Sequence, residues 1–102
     1  MLKRIIEFRN KRDWKQFHTP ENLAKAINIE AGELLECFQW STDKFDKDDV
    51  KEELADVIIY CLLMSDSLET DIERIVKDKI EKNDKKYPVE KAKGNSRKAD
   101  KL

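Results

Sequence analysis

A chain of 102 residues suits one domain, and a monomer of that size buries only about two thirds of the surface its unfolded chain exposes. Charged residues make up 42% and hydrophobic ones 39%, with two glycines and two prolines, a composition that disfavours a turn-rich sheet protein and predicts an all-α fold, which the pattern along the chain resolves into a four-helix bundle. Lys and Arg number 21 against 22 Asp and Glu, which excludes a global field for nucleic-acid polymers and leaves any attraction for anions to local arrangement.

Leu2, Ile5, Ile6 and Arg9 begin a helical pattern that fades near Trp14, with Lys and Arg on its outer side. Thr19-Pro20-Glu21 reads as an N-cap, a proline at the first helical position and an acid in the first turn. A second helix is therefore expected from Pro20 to Phe38 or Gln39. After the polar stretch Ser41–Asp48, residues Val50, Leu54, Val57, Ile58, Cys61 and Leu62 define a third helix ending near Ser67. Thr70 with Glu73 predicts a capping box, and Ile72, Ile75, Val76 and Ile80 carry a fourth helix to about Lys86, where Pro88 stops it. Residues 1–87 thus form the expected domain, and 88–102 a basic tail with Lys91, Lys93, Arg97, Lys98 and Lys101.

Cys37 and Cys61 lie in apolar helical stretches without a CxxC or a nearby histidine, which argues against zinc and for buried thiols in a reducing cytoplasm. The start of the chain lacks a signal-peptide core, and the longest apolar run, Val57–Met64, is too short to cross a bilayer. A soluble, cytoplasmic protein is expected.

The informative anomaly is acid where a core belongs. On the second helix, Leu23, Ala26, Ile27, Leu34 and Cys37 form a stripe, with Glu30 in its middle and Glu33 at its edge, whereas Glu21, Lys25 and Glu36 face the other way. On the third, Leu54–Met64 is apolar around its circumference except at Asp56, so it predicts a helix covered on all sides. Glu53, Asp56 and Tyr60 share one of its faces.

Four inward carboxylates repel one another and lose hydration, at a cost of several kcal/mol per ion by the order of magnitude for buried charge. A cation is required. The ligands are all hard oxygens, and the lone His18 cannot complete the Glu-x-x-His pairs of a di-iron bundle, which points to Mg²⁺ or Mn²⁺. Mg²⁺ on protein carboxylates keeps positions open for phosphate and water, so phosphate chemistry follows. In the competing reading Glu30 pairs with a lysine and Asp56 caps or bridges a subunit interface; two acid pairs at i, i+3 spacing favour the metal.

The run Glu30-Ala-Gly-Glu33-Leu-Leu-Glu36-Cys-Phe-Gln-Trp40, followed by Glu52-Glu53-Leu-Ala-Asp56-Val-Ile-Ile-Tyr60, resembles the MazG-like, all-α nucleoside triphosphate pyrophosphohydrolases. The likeness extends upstream through Trp14-Lys-Gln-Phe-His18 and downstream from Lys79 to Pro88, and is strongest toward the small dCTP pyrophosphatase branch. It implies Mg²⁺ ligation by Glu30, Glu33, Glu53 and Asp56, one glutamate also orienting the attacking water. It further implies a base held by Trp14 and Trp40, a nucleoside pocket lined by His18 and Tyr60, and phosphates reached by Lys79, Asn83 and Lys86. The reaction implied is hydrolysis of dCTP or a modified dCTP to the monophosphate and pyrophosphate, as nucleotide-pool house-cleaning.

The resemblance implies dimers or dimers of dimers, with a tetramer preferred. Lys93–Lys98 resembles a segment that folds over the triphosphate, although Ala99-Asp100-Lys101-Leu102 departs from the tyrosine and acidic-apolar ending of relatives. Two other readings stand beside this one: the same chemistry on a different noncanonical nucleotide, and a non-catalytic helical interaction module whose acids serve as interface ion pairs.

Overall fold

The computed structural model describes residues 1–99; the expectations that touch Asp100, Lys101 and Leu102 lie outside the described residues. Helices α1 (Leu2–Lys11), α2 (Pro20–Glu36), α3 (Lys47–Ser67), α4 (Ile72–Lys86) and the single turn α5 (Val89–Ala92) are joined by a 3₁₀ turn over Lys15–Phe17. No strand occurs among the described residues, as the composition predicts. One compact unit spans Met1–Glu69 and a second begins at Thr70.

Within the first unit, α2 packs along α3, and α1 rests more lightly on α3. Leu23 of α2 and Leu62 and Leu63 of α3 are its buried hydrophobic residues. The polar face of α2 remains outside, where Lys25 and Glu21 form an i, i+4 pair of 3.4 Å between exposed side chains, of little energetic weight.

Capping explains most boundaries. The Thr19 hydroxyl accepts from the Asn22 N–H at 3.2 Å, with Pro20 in the first turn as expected. At the other end α2 stops at Glu36, short of the expected Phe38 or Gln39. The N–H groups of Cys37, Phe38 and Gln39 turn back to Leu34, Leu35 and Glu36, tightening the last turn into i→i−3 bonds. Helix α3 starts ahead of Val50 because Asp46 caps it, accepting from Asp48 N–H at 2.9 Å and Asp49 N–H at 3.3 Å.

Helix α4 is capped by Asp71, whose carboxylate accepts from Glu73 N–H at 3.0 Å, one residue after the predicted Thr70. A fifth helix also corrects the expected four. Pro88 ends α4 but its carbonyl accepts from Lys91 and Ala92 N–H, starting one more turn. The full covering expected for α3 is not achieved within one chain: Leu54 and Ile58 remain 46% and 43% exposed. Both cysteines are half-buried rather than buried.

The end of α1 is a Schellman turn in which Asp13 takes φ of 54°. Its N–H bonds to the Asn10 carbonyl and that of Trp14 to Arg9, while the Trp14 ring meets Phe8 edge-on with centroids 5.7 Å apart, the apolar contact that accompanies this motif. Arg12 stacks on the other partner, its guanidinium carbon 3.6 Å from the Phe8 ring centroid. Glu69 at the end of α3 has the same left-handed φ of 54°.

Aspartate tolerates that conformation through local hydrogen bonding and glutamate does not. Glu69→Gly should therefore raise unfolding free energy by about 1 kcal/mol, and Asp13→Gly by less, as read from urea denaturation.

Candidate active site

The first unit brings acids of α2 and α3 together, Glu30 and Glu53 half-buried and Glu33 exposed rather than turned fully inward. Glu30, Glu33 and Glu53 each offer a carboxylate oxygen within 4.8 Å of those of the other two. One oxygen of Glu30 and one of Glu53 are buried without a hydrogen-bond partner. Buried polar atoms in native proteins are rarely left so. Asp56, one turn after Glu53, is exposed at the surface of α3 and lines the adjoining cavity with Glu30.

The electrostatics agree with the geometry. Burial, then the neighbouring Glu33 carboxyl and the charges of Asp56 and Glu53, pushes Glu30 above the usual carboxylate range. Glu53 is raised in the same way by burial and by Glu33 and Asp56. The Tyr60 phenol is also raised, by burial and then by Glu30, Asp56 and Glu33, and stays protonated near neutrality. The acids therefore destabilise their own charged forms, a condition that a divalent cation relieves. Three oxygen donors that converge, two of them with buried orphan oxygens, fit a hard cation.

Beside the acids lies a cavity of about 450 Å³ whose walls include Phe8, Arg9, Trp14, His18, Tyr60 and Ile59. Its composition, apolar and aromatic with a few polar groups, is that of a small-molecule site. The rings of His18 and Tyr60 are 6.4 Å apart in an edge-on arrangement. His18 is held below its ordinary pKa by burial and by Arg9, and its buried Nδ1 has no hydrogen-bond partner. An imidazole kept neutral offers one nitrogen as donor and one as acceptor.

Seven of the predicted site residues thus lie together in the acid cluster and cavity: Trp14, His18, Glu30, Glu33, Glu53, Asp56 and Tyr60. Trp40 does not join them; it lies in the turn after α2 with 89% of its surface exposed. Lys79, Asn83 and Lys86 share one face of α4 by their i, i+4, i+7 spacing. They belong to the second unit, where Asn83 is half-buried and both lysines are exposed.

Arg9 is the residue that sequence reasoning placed correctly but did not interpret. It is 4% exposed, and its Nη1 donates to Asp66 Oδ2 at 2.7 Å and its Nε to Asn10 Oδ1 at 3.1 Å. Its position in the apolar stripe of α1 was the available signal; a partner 57 residues away was not. Asp66→Ala leaves the guanidinium without its charged partner and should lower stability by about 2 kcal/mol, measured by chemical denaturation.

An all-helical protein with an inward carboxylate cluster beside an aromatic cavity is the class that this fold and site define. The MazG-like family matches residues 25–102, and the chain belongs to it. Rat dCTP pyrophosphatase 1 is 38% identical over 99 residues, 88% of this chain and 58% of the relative. Human dCTP pyrophosphatase 1 is 39% identical over 101 residues, covering 90% and 59%. The chain therefore spans under two thirds of the length of these curated relatives. The crystal structure of a pyrophosphatase from Archaeoglobus fulgidus DSM 4304 superposes with a TM-score of 0.79 at 45% identity, over 85% of this chain and 88% of that one.

Proposed function

We propose that this chain is a Mg²⁺-dependent nucleoside triphosphate pyrophosphohydrolase that cleaves dCTP or a modified dCTP to the monophosphate and pyrophosphate. The observation that carries this reading is the pair of buried, unpartnered carboxylate oxygens on Glu30 and Glu53, converging with Glu33 at the edge of an aromatic cavity. The similar proteins named above are all pyrophosphatases, which supports the reaction class.

In this reading Glu30, Glu33, Glu53 and Asp56 hold the cation. Bound there, Mg²⁺ supplies positive charge against the polyphosphate, with Mn²⁺ able to replace it. The chain's own residues do the rest. A glutamate of the cluster orients the attacking water and accepts its proton. Trp14, His18 and Tyr60 enclose the nucleoside, and Lys79, Asn83 and Lys86 engage phosphate. Residues 1–87 act as the catalytic domain, and the basic segment 88–102 closes on the phosphates.

The half-exposed Leu54 and Ile58 of α3, with Ile29 and Leu35 exposed on α2, support a homo-oligomer, for which a tetramer is the preferred assembly. No helix among the described residues is long and apolar enough to cross a membrane, and a cytoplasmic house-cleaning role accords with the substrate proposed. A panel of common and modified nucleoside triphosphates, assayed with Mg²⁺ for pyrophosphate and orthophosphate separately, tests the reading. Pyrophosphate release led by deoxycytidine nucleotides is expected; orthophosphate as the product, or no turnover of any nucleotide, would refute it.

A further inference from the structure

The cavity contains a cation that the chemistry above leaves unused. Arg9 is almost wholly buried and lines the same cavity as Trp14, His18 and Tyr60. Burying a guanidinium is costly, and a side chain needed only to fill space there would be apolar. Its orientation is fixed: Nε donates to Asn10 and Nη1 to Asp66, so a planar, five-donor group is clamped on two sides.

We infer that Arg9 is a specificity-determining residue, its clamped guanidinium reading the edge of the base by donating two parallel N–H bonds to two adjacent acceptors. This deepens the reading of the cavity as a nucleoside site and rests on it. Cytosine presents such a pair in O2 and N3. Thymine and uracil interrupt theirs with an N3–H donor, and adenine sets a donor beside N7. Guanine carries the pair O6 and N7, which Arg reads in the same two-pronged way.

The neighbours suit this role. Trp14 is held against Phe8 by the Schellman turn and lines the same cavity as Arg9, an aromatic surface on which a base plane is favourable. His18 stays neutral beside Arg9, so it does not compete as a second cation for the same acceptors. The Asp66 carboxylate, 2.7 Å from Nη1, fixes the register of the fork and offsets its charge, which keeps the contact directed at the base rather than at phosphate.

The test uses binding, so that it does not depend on turnover. The affinities of the intact protein for dCMP, dTMP and dGMP are measured by calorimetry for the wild type, Arg9→Lys, Arg9→Gln and the double variant Arg9→Met/Asp66→Leu. The double variant replaces the ion pair by apolar groups of similar size and guards against misfolding of the single ones. The wild type is expected to bind dCMP at least about tenfold more tightly than dTMP, the lower range for a two-pronged base contact.

Each Arg9 variant that folds should bring that ratio to within about threefold of unity by weakening dCMP and leaving dTMP unchanged. The dGMP arm reports whether the pocket admits a purine bearing the same acceptor pair. Equal binding of dCMP and dTMP by the wild type, or equal weakening of both in the variants, would make Arg9 a structural brace and overturn the inference. A protein that shows the dCMP preference yet hydrolyses no triphosphate would sustain the role of Arg9 while refuting the reaction proposed above.

Discussion

Glu53→Gln is expected to lower pyrophosphate release by at least about two orders of magnitude, the loss typical of removing one essential electrostatic group. Asp56→Asn should do the same. The helical fold should persist in both, because neither change empties the core: glutamine keeps the size and shape of the half-buried Glu53, and Asp56 is exposed. For Glu53 the sign on stability is opposite to the sign on activity. Its carboxyl is raised by burial and by Glu33 and Asp56, so an amide removes a charge that the metal-free fold opposes. The melting temperature of metal-free Glu53→Gln should therefore equal or exceed that of the wild type, the trade between activity and stability expected of a strained site. Steady-state assays and metal-free melts on the same preparations check both halves.

The second large effect is the response of stability to Mg²⁺. A cation bound only by the native state adds about 2.7 kcal/mol when its free concentration is a hundredfold above its dissociation constant. The pH dependence follows from the raised carboxyls. Folding raises Glu30 and Glu53 above their ordinary value of 4.5, so between that value and the folded pKa the native state binds more protons than the unfolded chain. Unfolding free energy then falls as pH rises through the window. In the metal-free protein these two groups favour the fold on the acid side and lose that contribution toward neutrality.

Mg²⁺ acts the other way, since only deprotonated carboxylates coordinate it. The gap between melting curves with and without Mg²⁺ should be widest near neutral pH and should close on acidification. Melts at several pH values between 5 and 8, with Mg²⁺ or with chelator, read this out. Curves that coincide at every pH would favour a helical module without a metal.

The acids were legible in the sequence because they violate a pattern. Glu30 interrupts an apolar stripe on α2, and period places it inward, where the structure has it half-buried; Asp56 interrupts an almost continuous apolar run on α3 in the same way, yet its side chain is exposed. Helix starts were legible where a local side chain makes the cap, as at Thr19. They shifted by a residue or more where several candidate caps compete, as at Thr70 against Asp71 or across the acidic run from Asp46 to Asp49.

What the sequence did not carry is long-range pairing. Nothing local ties Arg9 to Asp66, so a buried ion pair read only as one more member of the α1 stripe. Nor does a stripe tell how much neighbouring chain will cover it: Leu54 and Ile58 belong to the same apolar run as the buried Leu62 and Leu63 yet remain half-exposed. Trp40, grouped with Trp14 by resemblance, stands apart from the cavity because α2 ends in a tight turn at Glu36, which carries the tryptophan into solvent.

The convergence of Glu30, Glu33 and Glu53 on one divalent ion is tested most directly by titrating Mn²⁺ into the metal-free protein and following free ion by electron paramagnetic resonance, for the wild type and for Glu30→Gln/Glu53→Gln. The wild type should deplete the free-ion signal through a tight site that Mg²⁺ displaces, and the double variant should lack that site while retaining its helical circular dichroism. Identical titrations for the two proteins would contradict the assignment of these carboxylates to a metal centre.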